Sequence, residues 1–179
     1  HRSITRSEKI ARQLNLRFLA VNIGRRDYLR HLPTVCKILG GSISDLDLPA
    51  AAFLLAQLRS KSVRTVLSGM GSDEAFRLKR SQAARFPTRQ IKQALADHQA
   101  LARHYGLAFR CPYLSSAVVR QIVEAAPGMK KNKSALVQIV AEQPALLALL
   151  KGRPAEHSSI PDNFWRPFSA LHRYLQPTK

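Results

Sequence analysis

Cysteine, aromatic residues and acidic residues are scarce in this sequence, and it contains no long apolar run. The two cysteines, Cys36 and Cys111, lie far apart and neither belongs to a C-x-x-C pair, so neither a disulfide framework nor a zinc site is indicated. No apolar stretch approaches the roughly 20 residues that a membrane span requires. The basic start at His1 is not followed by the apolar core of a signal peptide. We therefore expect a globular cytoplasmic protein that makes no membrane contact.

The scarcity of acids leaves a large positive charge. Lys and Arg number 29 against 11 Asp and Glu, which gives +18 over 179 residues, while 45% hydrophobic residues suffice for a core. Such a balance favours polyanionic partners, namely nucleic acid, nucleotide phosphates or anionic surfaces, and does not choose among them. Because residue 1 is His rather than Met, we expect the chain to begin downstream of a natural start.

The first part of the sequence alternates helical and extended patterns. A helix is predicted from Thr5 or Ser7, as N-cap, to Asn15, followed by a short strand over residues 17–23. A helical pattern over residues 25–39 contains Pro33, which should begin a new helix or kink one. A Gly- and Ser-rich loop, a helix over 49–59 and a strand over 63–67 follow. This order predicts an α/β fold with a parallel sheet.

Beyond residue 73 the pattern becomes mainly helical. Helices are predicted over 74–85, 88–105, 115–126, 132–142 and 144–151. We expect a unit over residues 1–152, with an α/β part (1–72) and a helical part (73–152). A Pro-rich tail over 153–179 with a short helix should follow it.

The loop after the second predicted strand carries the clearest chemistry. The sequence L-S-G-M-G-S-D-E-A-F occupies residues 67–76, and ligands bind at the carboxyl ends of parallel strands. Glycines let backbone N–H groups approach an anion, hydroxyls add donors, and a helix start adds a positive dipole end. Carboxylates repel phosphate unless a cation lies between them, so Asp73 suits Mg²⁺ that is bound to phosphate. The simpler interpretation is that Asp73 and Glu74 only cap a helix.

These ten residues resemble the loop of the asparagine synthetase family, L-S-G-x-G-[SA]-D-E-x-F, at every fixed position. Residues 105–127 resemble the G-L-E-x-R-x-P-[FY]-L-D block of the family, and residues 131–136 resemble a Lys-x-x-Leu segment. The resemblance covers residues 5–165. It implies an adenine-nucleotide alpha-hydrolase-like sheet, here partial, followed by helices. It also implies ATP-dependent amide-bond formation, in which a carboxylate is adenylated and then attacked by an amine or ammonia, as in asparagine biosynthesis.

The resemblance also implies roles for individual residues. Asp73 would hold Mg²⁺ on the pyrophosphate of ATP, and Met70 would contact the carboxylate substrate. The implied catalytic residues are Asp73, Glu74, Lys133 and Arg110, and those implied to lie beside ATP are Ser68, Gly69, Gly71 and Ser72.

Several family features are absent or replaced. The S-G-G-x-D-S loop is missing, so a preceding domain or a separate chain would have to supply it, and this chain alone is expected to be inactive. Met70, Ala108 and Ser115 stand where the family has acids, and Ala155 stands where it has a late Lys. A lasso-peptide cyclase or β-lactam synthetase-like enzyme is the alternative within the family.

Outside the family, a basic module that binds nucleic acid or a protein partner is the alternative. Trp165 and Phe168 near Arg166 could stack on bases, although packing is the simpler interpretation. His98 and His104 do not have the i, i+4 spacing of a helical zinc site.

Overall fold

The computed structural model describes residues 2–41, 43, 45–77 and 86–124. Along this part of the chain six α-helices and two short strands follow one another, with a 3-10 helix at Pro112–Leu114. The helices are α1 (Arg2–Gln13), α2 (Arg25–Ile38), α3 (Leu48–Ser60), α4 (Ser72–Arg77), α5 (Arg89–His104) and α6 (Ser116–Glu124). The strands are β1 (Thr65–Leu67) and β2 (Ala108–Arg110).

The two strands pair in parallel, with Val66 opposite Phe109 and Leu67 opposite Arg110. Val66 and Phe109 pack against a core that α2, α3 and α5 supply, with Leu48 and Leu101 fully buried at its centre. Side chains alternate between the faces of a sheet, so Leu67 and Arg110 lie on the other face, where both are exposed. The α/β class and the presence of a parallel sheet, both predicted from the sequence, are confirmed, although β1 pairs with a strand that was not predicted.

Strand β2 corrects the sequence prediction, which was mainly helical after residue 73 and contained no strand there. Ala108–Arg110 forms a strand, although three residues are too few for a periodic pattern to be recognised. This strand is the parallel partner of β1, so the sheet depends on a segment that was assigned to a loop.

Two helix predictions also need correction. Helix α1 begins at Arg2, so Thr5 and Ser7 lie inside it rather than capping it. Its predicted end at Asn15 agrees with the structure, where the helix stops at Gln13 and Asn15 has a φ of 54°. Helix α2 runs through Pro33, so of the two alternatives predicted for this residue the new helix start is wrong and the kink stays a prediction. Its first turn is capped by Asp27, whose carboxylate accepts the Gly24 N–H at 3.1 Å.

The strand predicted over residues 17–23 is not formed with any described partner. These residues belong to no helix or strand, and no backbone hydrogen bond joins them to another part of the described chain. Phe18 and Leu19 are exposed despite being large and apolar. The strand predicted here is therefore not found among the described residues.

A second, smaller apolar cluster lies under the loop that follows β1. Ala75 and Phe76 of α4 and Ile122 of α6 are buried together, and Tyr113 packs against them. The Phe76 and Tyr113 rings meet edge to face, with centroids 6.3 Å apart. The predicted helices over 132–142 and 144–151, the tail, Lys133 and the domain boundary at residue 152 lie outside the described residues.

Tyr28 links α2 to the loop before α3. Its side chain is only 2% exposed, and its hydroxyl donates to the Leu46 carbonyl at 2.9 Å. Burial, with a smaller effect of the Asp47 and Asp45 carboxylates, raises the pKa of Tyr28 to about 12.

We predict that Tyr28→Phe lowers the free energy of unfolding by about 1 kcal/mol at neutral pH, because the Leu46 carbonyl loses its partner. Urea denaturation measures this loss. Tyr113→Phe is the matched control, since the Tyr113 hydroxyl bonds to none of the described residues. An equal loss in both variants would contradict the role of the Leu46 bond.

The native protein and the Tyr28→Phe variant also test the raised pKa of Tyr28. The folded state holds the Tyr28 proton more tightly than the unfolded state, so this contribution to stability is complete below pH 10 and is lost as pH rises to about 12. The advantage of the native protein over Tyr28→Phe should therefore shrink over this window. An advantage that stayed constant with pH would show that the pKa is not raised.

Candidate active site at the carboxyl ends of the strands

The loops that follow β1 and β2 lie side by side. Because the strands are parallel, their carboxyl ends meet at one edge of the sheet. The backbone N–H of Ser68 donates to the Arg110 carbonyl at 2.9 Å, which extends the pairing one residue past β1. The segment after β2 is thus fixed directly beside the start of the L-S-G-M-G-S loop.

The loop itself is a tight turn into α4. The Ser68 hydroxyl accepts the Met70 N–H at 3.2 Å, and the Gly69 carbonyl accepts the Ser72 N–H at 3.2 Å. The Gly71 carbonyl then accepts the Ala75 N–H at 2.9 Å, which begins the helix. Local hydrogen bonds therefore define the loop shape.

The two loop glycines serve different purposes. Gly71 has a φ of +86°, and a Cβ built on it would lie 2.2 Å from Leu114 Cδ2. Gly71 therefore meets both a conformational and a packing requirement for glycine. A Cβ on Gly69 would meet no atom of the described residues within 4 Å. The open space beside Gly69 leaves room for a ligand to approach the backbone.

The acidic pair lies in the first turn of α4, immediately after the loop. Asp73 and Glu74 are both exposed. Within the described residues, no group of three or more His, Cys, Asp or Glu side chains is placed to hold a metal ion. Mg²⁺ is typically bound by one or two carboxylates together with phosphate oxygens, and the exposed Asp73 carboxylate could serve as such a ligand.

Cys111, the residue that follows β2, is half-buried beside Ser68. Burial raises the pKa of the Cys111 thiol, and a hydrogen bond with the Ser68 side chain lowers it by less. The thiol therefore stays neutral near pH 7.

The structure gathers most of the predicted site residues at this edge. The residues found together in the loop and the first turn of α4 are Ser68, Gly69, Met70, Gly71, Ser72, Asp73 and Glu74. Arg110 ends β2 beside them, with its side chain exposed. Their roles in binding and catalysis stay predictions.

Leu114 and Cys111 contact the loop and were not identified from the sequence as part of it. Both belong to the R-C-P-Y-L segment, residues 110–114. The family block that includes this segment could have suggested that it lies near the loop, but no residue spacing predicts a contact between Gly71 and Leu114.

We predict that Gly71→Ala lowers the free energy of unfolding by about 1–3 kcal/mol, through the positive φ and the overlap with Leu114. Gly69→Ala should change it by no more than about 0.5 kcal/mol, because the space there is open. Thermal or urea denaturation compares the two variants.

A double variant separates the two causes. In a Leu114→Ala background the overlap is relieved, so Gly71→Ala should cost less there, and the remainder reports the strained φ. An identical cost in both backgrounds would contradict the packing of Gly71 against Leu114.

Comparison with known proteins agrees with the resemblance found in the sequence. A family model described as asparagine synthase matches residues 4–104, more than half of the chain and including the whole loop and α4. Searches of curated proteins and of solved structures found no match. In the described part of the chain no helix is long and apolar enough to cross a membrane. With its loop matched both in sequence and by the family model, the chain belongs to the asparagine synthase family, whose members are ATP-dependent, amide-bond-forming synthetases.

Proposed function

We propose that this chain contributes the pyrophosphate-facing loop of an ATP-dependent, amide-forming synthetase. The observation that carries the proposal is the loop over residues 68–71, which lies at the carboxyl end of β1 with open space beside Gly69 and leads into an exposed Asp73. In the proposed reaction a substrate carboxylate oxygen attacks the α-phosphorus of ATP and pyrophosphate leaves. An amine or ammonia nitrogen then attacks the carbonyl carbon and AMP leaves.

Each loop residue has a part in this scheme. Ser68, Gly69, Gly71 and Ser72 would lie against ATP through hydroxyl and backbone N–H groups, which suit anionic oxygens. Asp73, assisted by Glu74, would hold Mg²⁺ on the pyrophosphate, and the cation would supply neutralising charge for the leaving group. Arg110 from β2 and Lys133, which lies outside the described residues, would add positive charge.

Met70 is proposed to contact the carboxylate substrate. It is half-buried and its N–H is bound to the Ser68 hydroxyl, so its position follows from the shape of the turn. A thioether cannot pair with a cationic group, unlike the Glu that the family has at this position. The substrate group next to Met70 should therefore be uncharged or apolar, which favours a diverged amide-forming enzyme over one specific for aspartate.

The sheet is proposed to be part of an adenine-nucleotide alpha-hydrolase-like fold. Two parallel strands with helices on one face agree with that type, and the other face, with Leu67, is exposed. Parallel sheets are usually covered on both faces. The division into a unit over residues 1–152 and a tail over 153–179 stays part of the proposal.

A further strand is proposed to pair with the edge of β1 opposite β2, where no strand of the described residues lies. Ala108 donates to Arg64 and Ser68 donates to Arg110, so alternate residues of this segment bond to β2. The backbone groups of Thr65 and Leu67 accordingly face the opposite edge. A segment that carries the S-G-G-x-D-S loop, either upstream in the same protein or on another chain, would place that loop beside Ser68.

The open edge gives a prediction about that partner. A family segment in which a strand is followed by the S-G-G-x-D-S loop should form a complex with this chain. Leu67→Lys should weaken the binding about tenfold or more, because a charged residue on an edge strand opposes strand addition. Leu54→Lys, at an exposed leucine of α3, is the control. Equal binding by both variants in a pull-down or titration would contradict docking at β1.

The ATP site gives a second prediction. Calorimetric titration with Mg-ATP should show saturable binding that Asp73→Asn reduces about tenfold or more, because the Mg-bound phosphates lose their carboxylate ligand. Glu8→Gln, an acidic residue of α1 whose ion pair with Arg12 is exposed, controls for the loss of one negative charge. Equal affinity of the wild type and Asp73→Asn would contradict the assignment of the metal ligand.

The same titrations test the alternative, a basic module that binds nucleic acid. The observation favouring it is the surface of α1, α2 and the segment between them, where Arg12, Arg17, Arg25, Arg26 and Arg30 are all exposed. Binding of single-stranded RNA that falls steeply with salt and is untouched by Asp73→Asn, without any Mg-ATP binding, would favour the module. Mg-ATP binding that depends on Asp73 would favour the synthetase.

A further inference from the structure

The connections that lead into the two strands lie at the opposite end of the sheet from the loop. Residues 59–64 lead from the end of α3 into β1, and residues 103–107 lead from the end of α5 into β2. The connections meet where the strands begin, since the Ala108 N–H donates to the Arg64 carbonyl at 2.8 Å. A Cβ built on Gly106 would lie 3.7 Å from the guanidinium carbon of Arg59, so the Arg59 side chain reaches the second connection.

The exposed side chains of the two connections are basic or small. Their apolar members, Val63, Tyr105 and Leu107, lie in the main core or pack against it. The remaining exposed positions, apart from the basic ones, are two serines and a glycine. The exposed basic residues, which together we call the amino-end surface, are Arg59, Lys61, Arg64, Arg103 and His104.

The positive charge of the amino-end surface has no acidic counterpart nearby in the sequence. Residues 48–72 and 98–123 contain neither Asp nor Glu. Within the described part of the chain, none of the five basic residues forms an ion pair with a carboxylate. The cations of this surface therefore keep their charge available for a partner.

The helix ends explain only part of this charge. Arg59 lies in the last turn of α3, and Arg103 and His104 lie in the last turn of α5. Cations there are stabilised by the partial negative charge of the helix end, an effect that falls off within one turn. Arg64 lies directly before β1, outside either helix. The helix ends account neither for Arg64 nor for the lack of acids in both connections.

We propose that the amino-end surface binds the phosphate backbone of nucleic acid. A guanidinium group can pair with phosphate oxygens through two parallel hydrogen bonds. The surface presents Arg59, Arg64 and Arg103 from two connections that are fixed to each other. This binding goes beyond the proposed function and uses none of the loop residues.

The composition of the surface favours nucleic acid over an acidic protein. The centre of a protein interface is generally apolar, whereas nucleic-acid interfaces are more polar and much more positively charged. The large apolar side chains that are exposed on the described residues lie on α1, on α2, on the segment between them, and at Leu54 and Leu67. The amino-end surface contains none of them.

The test measures binding of labelled single-stranded RNA, about 20 nucleotides long and of mixed sequence, to the full 179-residue chain by fluorescence anisotropy. The surface variant combines three substitutions, Arg59→Gln, Arg64→Gln and Arg103→Gln. The control variant removes the same charge from exposed positions of α2 through Arg25→Gln, Arg26→Gln and Arg30→Gln.

We expect the Kd for RNA to rise about tenfold or more in the surface variant and by no more than about threefold in the control variant. The slope of log Kd against log salt concentration should fall by about two in the surface variant. Each phosphate contact on a single strand contributes about 0.7 to this slope, and three contacts are removed.

Three outcomes would overturn the inference. The first is RNA binding by a folded surface variant with the wild-type Kd, and the second is an equal loss in both variants, which would show that RNA responds to net charge alone. The third is a greater loss in the control variant, which would place the RNA on α2. Circular dichroism establishes that each variant is folded. If the surface variant is not, Lys61→Gln with Arg64→Gln, both outside the helices, replaces it.

Competition separates nucleic acid from an acidic protein. Unlabelled RNA should displace the labelled RNA, and polyglutamate at the same concentration of charge should be about tenfold or more less effective, since it lacks the charge density of a phosphate backbone. Equal displacement by polyglutamate would assign the surface to an acidic protein and overturn the inference.

The inference and the proposed function fail separately. Asp73→Asn should leave the Kd for RNA within about twofold of wild type, because Asp73 lies at the other end of the sheet. RNA binding that depends on the amino-end surface, in a chain that binds no Mg-ATP, would support the inference and refute the proposed function. Mg-ATP binding that depends on Asp73, without RNA binding, would do the reverse.

Discussion

The hydrogen bond from the Ser68 N–H to the Arg110 carbonyl is the interaction on which the candidate site depends. It continues the parallel pairing past the end of β1, at the point where the chain turns into the loop. Because of this bond, two segments that are more distant in the sequence, residues 68–71 and 111–114, share one edge of the sheet. The close approach of Leu114 to Gly71 follows from this arrangement.

The predictability of the site differs between its two halves. The loop over residues 67–76 was recognised because its glycines, hydroxyls and acids are consecutive, so one local pattern contains the chemistry. The other half, β2 and the segment after it, consists of short elements whose residues match no periodicity. Strand β2 has three residues, and it is a strand because β1 lies beside it rather than because of its own composition.

The helices were predicted more accurately than the strands for a related reason. Helix α5 has a long repeating pattern and a Thr88 cap that accepts the Ile91 N–H, both of which are local features. Residues 17–23 have an apolar, extended pattern, but a strand also needs a partner, and none of the described residues provides one. A sequence pattern typical of a strand therefore does not by itself indicate that a pairing partner exists.

The 3-10 helix Pro112–Leu114 packs against both helix α4 and the loop that precedes it. Phe76 packs edge to face on Tyr113, and the Leu114 side chain fills the space that a Cβ at Gly71 would need. A shift of the 3-10 helix Pro112–Leu114 would therefore move both the turn and the first turn of α4. Because Asp73 lies in that first turn, the position of its carboxylate is set by the packing beneath it as well as by the loop. The precision of any cation site at Asp73 must then depend on apolar residues that carry no charge and touch no ligand.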